Sequence, residues 1–314
     1  MTKHPIWIDT DCGVDDALAL LCACRLKTVD IVGVSAGVGT TTRDNTFRNT
    51  RNILALAGRK DISVYPGSED AWIEGYMPAP AFHGEDGLGG ALIPESDAPV
   101  CTEHAWDAMY EAAKKYSGEL VMITIGQLTD LANAIVKYPD LPKHVKEIDI
   151  MGGALVGGNT TICSEANIRR DPHAAQCVYK SGIPIVMFGL DVTEKAYLTS
   201  EDLDELYEKE TAVTQMMKTA MRFAIATNIR DTGRRYYDLH DLCPVLYQDH
   251  PKLFKGSKAG VYVETRSALT MGKTISDRYT LMDQRLPAKN VLVMEKVERE
   301  KMVAIVKEML LSYR

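Results

Sequence analysis

The chain has 314 residues, 46% of them apolar, enough to bury a sizeable core and to exclude global disorder. Its 36 basic and 43 acidic side chains give a formal net charge of −7, which argues against a nucleic-acid partner and for small molecules or cations. No apolar run reaches the ~20 residues of a membrane helix, MTKHPIWIDT has no apolar signal core, and the seven cysteines form no paired framework, so a cytoplasmic protein with reduced thiols and no membrane partner is expected.

In chain order, PIWID (5–9) reads as a short buried strand and DDALALLCACRLK (15–27) as a helix with its apolar side inward. DIVGVSAG (30–37) is a second strand, TTRDNTFRNTRNILALAG (41–58) a helix closed by a C-terminal glycine, and ISVYPG (62–67) a third strand. Residues 68–100, with AFHGEDGLGG inside them, read as loop. Alternation resumes with a helix at 103–117, a strand at 119–125, a helix at 128–138 and a strand at 146–151. The glycine-rich GGALVGGNTT follows, then a helix at 171–181 and a strand at 184–190. The second half is more helical: one or two helices over 200–229, another over 239–248, strands at 260–265 and 290–297, and an amphipathic helix at 298–312. Strand–helix alternation at this spacing predicts parallel strands with crossover helices. With no repeat, low-complexity stretch or linker, residues 1–314 read as a single α/β domain.

Chemistry is concentrated at the end of the first strand. Asp9, Asp11, Asp15 and Asp16 crowd the turn into the first helix. A helix cap needs one or two carboxylates. Four at the carboxyl end of a strand in an open α/β sheet, where such folds place ligands, fit a hard cation taking several oxygens. An EF-hand is excluded, because a strand precedes the cluster and Gly13 stands at the third ligand position. Asp9-x-Asp11 is also similar to the start of haloacid-dehalogenase-type phosphotransferases, but these carry Thr or Val where Gly13 stands, and no downstream Gly-Asp or Asp-Asp motif follows residue 16. Cys12 sits inside the cluster, where neighbouring carboxylates disfavour a thiolate and hence a nucleophile.

Asp-x-Asp-x-x-x-Asp-Asp after an N-terminal strand resembles the signature of the inosine–uridine-preferring nucleoside hydrolases. HGEDGLGG (83–90), IGQLTDLA (125–132), MGGALVGGNTT with SEANIRRDPHAA (151–175), LDVTEKAYLT (190–199) and LHDLCPVLY (239–247) resemble further family motifs in the same order, over nearly the whole chain. The resemblance implies a single open, mostly parallel, Rossmann-like sheet flanked by helices. It implies hydrolysis of the N-ribosyl bond of inosine- or uridine-type ribonucleosides, through an oxocarbenium-like transition state, in purine or pyrimidine salvage. The implied cofactor is Ca²⁺, held by Asp11, Asp16, the main-chain carbonyl of Ile125 and Asp241. Asp11 would also activate water, and His240 would assist departure of the base. Asp15, Asn159, Glu165 and Asn167 would contact the ribose, His83 would line the substrate site, and Asp9 would orient the ligands. Tyr236 and Tyr237 are candidates for stacking on the base. A homodimer or homotetramer is implied as well.

Three positions depart from the family pattern: Val38 replaces a common Asn, Asp130 a usual Asn, and Glu194 a common His. They bear on substrate preference and rate rather than on fold or reaction. Besides the phosphotransferase reading, a nucleoside- or ribose-binding protein without turnover is a second alternative. Retention of Asp11 and His240 argues against it, since binding alone needs neither a base nor an acid. Purine against pyrimidine preference is not legible in these motifs.

Overall fold

A computed structural model of the chain describes residues 3–73, 75, 77–277, 289 and 291–314. Glu74 and Tyr76 of the predicted loop, and Asn290, the predicted first residue of the last strand, lie outside the described residues. The strands are β1 (His4–Thr10), β2 (Val29–Ala36), β3 (Val64–Pro66), β4 (Leu120–Thr124), β5 (Val145–Met151), β6 (Ile185–Phe188), β7 (Tyr197–Thr199), β8 (Tyr236–Asp238), β9 (Phe254–Val263), β10 (Thr274–Asp277) and β11 (Val291–Val297). The helices are α1 (Val14–Ala23), α2 (Arg43–Leu56), α3 (Pro80–His83), α4 (Ala105–Lys115), α5 (Thr129–Lys137), α6 (Ala166–Arg170), α7 (Pro172–Tyr179), α8 (Leu190–Thr193), α9 (Ser200–Glu208), α10 (Ala212–Thr232), α11 (Leu242–Tyr247) and α12 (Arg299–Leu311).

One nine-stranded sheet runs in the order β10-β9-β11-β6-β5-β4-β1-β2-β3. From β3 to β11 the neighbours pair parallel, while β9 and β10 are added antiparallel at one edge. Strand side chains alternate between two apolar layers, as a period of two requires. Ile6 and Ile8 join the layer under α1, α10, α11 and α12, whereas Trp7 points into the layer under α4, α5 and α7. Every residue of α1 is buried, so this helix sits inside the core rather than on it. Each of its leucines, Leu18, Leu20 and Leu21, contributes roughly 1.5–3 kcal/mol of apolar burial.

The sequence reading located the parallel βα units and differed from the structure in the C-terminal half. The 200–229 stretch is two helices, each opened by a threonine side chain accepting a backbone N–H: Thr199 from Asp202, and Thr211 from Thr214. β9 starts six residues earlier than predicted, and β10 and the small antiparallel β7–β8 sheet are additional. The predicted loop 68–100 includes the one-turn α3, and the predicted 171–181 helix is preceded by α6.

The chain runs from β1 outward through β2 to β3, then returns to place β4 on the other side of β1. The carboxyl ends of β1 and β4 therefore flank a topological switch point, where loops leave in opposite directions and open a crevice.

Candidate active site

The crevice is a cleft of about 370 Å³ lined by Asp11, Asp15, Asp16, Thr40, His83, Ile125, Met151, Asn159, Glu165, Ala166, Asn167, Arg170, His240 and Asp241. Of the site residues predicted from the sequence, Asp11, Asp15, Asp16, His83, Ile125, Asn159, Glu165, Asn167, His240 and Asp241 are in this lining, whereas Asp9, Tyr236 and Tyr237 are not. The segments converge because each follows a strand or a short element pinned to one. Asp11 follows β1, Thr40 follows β2, Ile125 follows β4, and Asn167 and Arg170 ride on α6 after β5. The β7–β8 pair carries the chain to His240 and Asp241, and the Leu239 N–H donates to the Ala196 carbonyl at 2.6 Å.

The turn between β1 and α1 is unusual. Cys12 has φ of 26°, the one non-glycine residue with positive φ among those described. This sparsely populated conformation is held by the Cys12 N–H on Thr10 Oγ1 at 3.0 Å. Thr10 Oγ1 in turn donates to Asp16 Oδ1 at 2.5 Å, and the Gly13 N–H donates to Asp16 Oδ2 at 2.8 Å, so Asp16 caps the buried helix it begins. Burial, then the neighbouring aspartates, push the Cys12 thiol well up, so it stays protonated.

Asp15, Asp16 and Asp241 each offer an oxygen, all within 4.8 Å of one another, and all three residues are buried. Burial pushes Asp15 and Asp16 up to about 6 and Asp241 well above the ordinary carboxylate range; repulsion from Asp11 adds to Asp15, from Asp15 to Asp16, and from Asp15, Asp16 and Asp11 to Asp241, while a hydrogen bond with Asp241 lowers Asp15. Tyr237 is buried beside Asp15 and does not line the cleft, and Tyr236 packs on Tyr197 at 4.4 Å between centroids. Asp11 stands beside this triad and outside it. Its Oδ2 accepts the Thr40 N–H at 2.7 Å and an Arg170 Nη1–H at 3.0 Å, and its carbonyl accepts Thr40 Oγ1–H at 2.5 Å. Burial drives Asp11 up to about 7, Asp16 adds to the shift and Arg170 opposes it. The triad thus contains Asp15, which the resemblance assigned to ribose, and leaves out Asp11, which it assigned to the metal.

Behind the cluster, Asp9 accepts Ser35 Oγ–H at 2.5 Å and faces Asp130. Asp130 accepts from the Ser68 N–H at 2.7 Å and from the Ser68 hydroxyl, so it is a buried member of the support under the site. Val38 is buried but does not line this cleft; it lines a neighbouring one with Thr42, Arg43, Asp44 and Glu69.

Two histidines reach the cleft, and both are neutral near pH 7. His83 Nδ1 accepts the Val14 N–H at 3.2 Å, which leaves its proton on Nε2, and burial followed by Arg170 pushes it down to about 3. His240 Nδ1 meets Thr193 Oγ1 at 2.8 Å, and burial followed by Arg234 pushes it down to about 4.

On the other wall, Glu165 caps α6. Its carboxylate accepts the N–H groups of Gly153, Asn167 and Ile168 at 2.9, 2.9 and 3.1 Å. Asn167 Nδ2 donates to the Ile125 carbonyl at 2.9 Å and the Met151 carbonyl at 3.3 Å. Asn159 is exposed, and its Oδ1 accepts the Ala166 N–H at 3.0 Å.

The donor set is oxygen throughout, without cysteine and with no histidine in the triad, which is the chemistry of a hard divalent ion. The residues therefore fit a metal ion. Sequence reasoning missed Arg170, Thr40 and the glycines that make room for Asp11. A Cβ on Gly39 would lie 2.0 Å from Asp11 Oδ2, and one on Gly126 3.1 Å from Asp11 Oδ1. Gly39→Ala, whose new Cβ would also lie 2.6 Å from Asp11 Cβ, is expected to displace Asp11, to cut turnover by about a hundredfold or more and to lower the melting temperature. Gly126→Ala should cost far less. Equal rates for Gly39→Ala and the unmodified protein would show that the Asp11 position is not confined as described.

Residues 6–304 match the family model for inosine-uridine preferring nucleoside hydrolase. The pyrimidine-specific ribonucleoside hydrolase RihA of Photobacterium profundum is 35% identical over 313 residues, spanning 99% of this chain and 100% of that one. The fold superposes on a plant nucleoside hydrolase, PpNRh1, with a TM-score of 0.91 at 28% identity, covering 98% of this chain and 99% of that one. It superposes equally, at 0.91 and 28% identity with 98% of both chains covered, on a purine-preferring ribonucleoside hydrolase from Gardnerella vaginalis.

Proposed function

The chain belongs to the inosine-uridine preferring nucleoside hydrolase family, and from that premise we propose a Ca²⁺-dependent ribonucleoside hydrolase acting on inosine- and uridine-type substrates. Family membership sets aside the phosphotransferase reading. The observation that carries the metal requirement is the buried Asp15–Asp16–Asp241 triad beside Asp11. Asp11, Asp16, Asp241 and the Ile125 carbonyl hold the ion in this reading, with Asp15 at the same point of the cleft, directed at a ribose hydroxyl. When bound, Ca²⁺ supplies positive charge that grips the vicinal hydroxyls of ribose and makes a nearby water more acidic.

The chain's own groups do the rest. Asp11 takes a proton from the attacking water through Oδ1, since Oδ2 is occupied by Thr40 and Arg170. Asn167, Asn159 and Glu165 orient the sugar. The buried carboxylates favour positive charge developing on it. With Thr193 donating to Nδ1, His240 presents Nε2–H to the departing base as a neutral hydrogen-bond donor, consistent with its depressed basicity. His83 presents its own Nε2–H from α3.

We further propose a cytoplasmic enzyme of purine or pyrimidine salvage that works as a homodimer or homotetramer. No helix among the described residues is long and apolar enough to cross a membrane, and all seven cysteines are free thiols.

The test is release of reducing sugar from inosine and from uridine, before and after chelation. Chelation should abolish release and Ca²⁺ should restore it, with the ratio of the two rates giving the base preference. Sugar release that is indifferent to chelation would sink the metal requirement. The ion-free carboxylates have raised folded-state pKa values, so their protonated forms stabilise the folded chain at low pH and this stability is lost as pH rises through about 6 to 7. Calcium competes with those protons. Its stabilising effect should therefore be larger at pH 8 than at pH 5, by about 5 °C at saturating ion for a chain of this size.

A further inference from the structure

Arg170 is a permanent cation set into an acidic cleft. Its side chain is 9% exposed, and its Nη1 bridges Asp11 Oδ2 at 3.0 Å and Asn167 Oδ1 at 3.2 Å. A guanidinium does not give up its proton in a protein, so its charge is present whether or not an ion is bound. Nor is it idle on a surface: it is seated on α6 one turn after Asn167, the residue whose amide also touches the Ile125 carbonyl.

That placement has two effects. First, Arg170 and the Thr40 N–H together occupy Asp11 Oδ2, and Asp11 accordingly stands outside the triad of Asp15, Asp16 and Asp241. Second, Asn167 is fixed in one orientation, with its oxygen on Arg170 and its nitrogen on the Ile125 and Met151 carbonyls. One side chain thus ties together an acidic ligand, a carbonyl ligand and a sugar contact of the proposed site.

We propose that Arg170 is an internal counter-ion of the carboxylate cluster: it holds Asp11 in register without a divalent ion and weakens the cluster's affinity for that ion. The inference rests on the metal-dependent reading given above. Positive charge already inside the cleft repels an arriving cation and offsets part of the repulsion among the carboxylates that the cation would relieve. Arg170 is a positioning residue here, acting through Asp11 and Asn167, and it trades ion affinity for order in the ion-free state.

The experiment is calorimetric titration of Ca²⁺ into the chelator-stripped full-length protein, alongside melting curves of the stripped form. It uses the unmodified protein, Arg170→Gln, Arg170→Met and Arg170→Lys. The two neutral variants should bind Ca²⁺ about tenfold tighter or more, the effect of removing one unit charge a few ångströms away in a medium of intermediate dielectric. Their stripped forms should melt lower than the unmodified protein. Arg170→Lys keeps the charge, and its affinity should stay close to the unmodified value. Equal or weaker binding in Arg170→Gln, or a shift shared by Gln and Lys, overturns the counter-ion role. If Arg170→Met fails to fold, the comparison of Gln with Lys carries the test. Absence of any ion binding by the unmodified protein sinks the metal reading itself, whereas binding left unchanged by substitution sinks only the inference about Arg170.

Discussion

Asp11→Asn is expected to lower ribose release from inosine or uridine by about 10² to 10⁴, the range for loss of a general base, with the fold intact. The substitution is nearly isosteric, and the amide oxygen still accepts the Thr40 N–H and the Arg170 guanidinium. What disappears is the negative charge and, in the proposed reaction, the oxygen that would accept a proton from water. Asp11→Ala removes those hydrogen bonds too and strands Arg170 without its carboxylate, so it should lose activity and melt lower. The comparison separates chemistry from support. A kcat for Asp11→Asn within about tenfold of the unmodified enzyme would remove Asp11 from the role of base.

The second large effect is on the sugar. 2′-Deoxyinosine should turn over about 10³ to 10⁵ more slowly than inosine, because a site built to bind a hydroxyl discriminates strongly against its absence. The physical reason lies in the cleft: the acidic triad and Asp11 are buried, and without the 2′-hydroxyl an ion held there would lose one of the two sugar oxygens in the proposed reading, and with it the chelate. Initial rates of sugar release at matched concentrations measure the ratio directly. Comparable rates for the two nucleosides would mean that the diol is not the handle by which the substrate is held.

Much of this arrangement is legible in the sequence, for identifiable reasons. The β1–α1 turn follows a continuous apolar run, PIWI, and carries four carboxylates within eight positions, a pattern with few structural uses, and it begins the site. The glycine-rich and SEANI segments sit where strand ends must, so Asn159, Glu165 and Asn167 fall into the same cleft. Other features are set by tertiary contact and leave little local trace. Arg170 lies in IRRDP, where a basic residue on a short helix reads as solvent-facing, yet it is buried against Asp11, which follows β1. Thr40 meets the Asp11 carboxylate through its backbone N–H, which any residue but proline provides, and only its bond to the Asp11 carbonyl uses the hydroxyl. β10 is four residues long, polar at all but Ile275, and at the sheet edge, so it lacks the apolar pattern that marks an interior strand. The motif resemblance assigns Glu165 to substrate, while its three backbone partners show that it closes the start of α6.

Asp16 and Asp241 meet although most of the chain lies between them. No nascent or truncated chain that stops before Asp241 possesses the triad, however well its early strands have paired. An ion seated there staples the beginning of the polypeptide to its last third, and its binding energy is spent on closing a very long loop. In the proposed reading, loading of the ion therefore waits until Asp241 has folded against the β1–α1 turn.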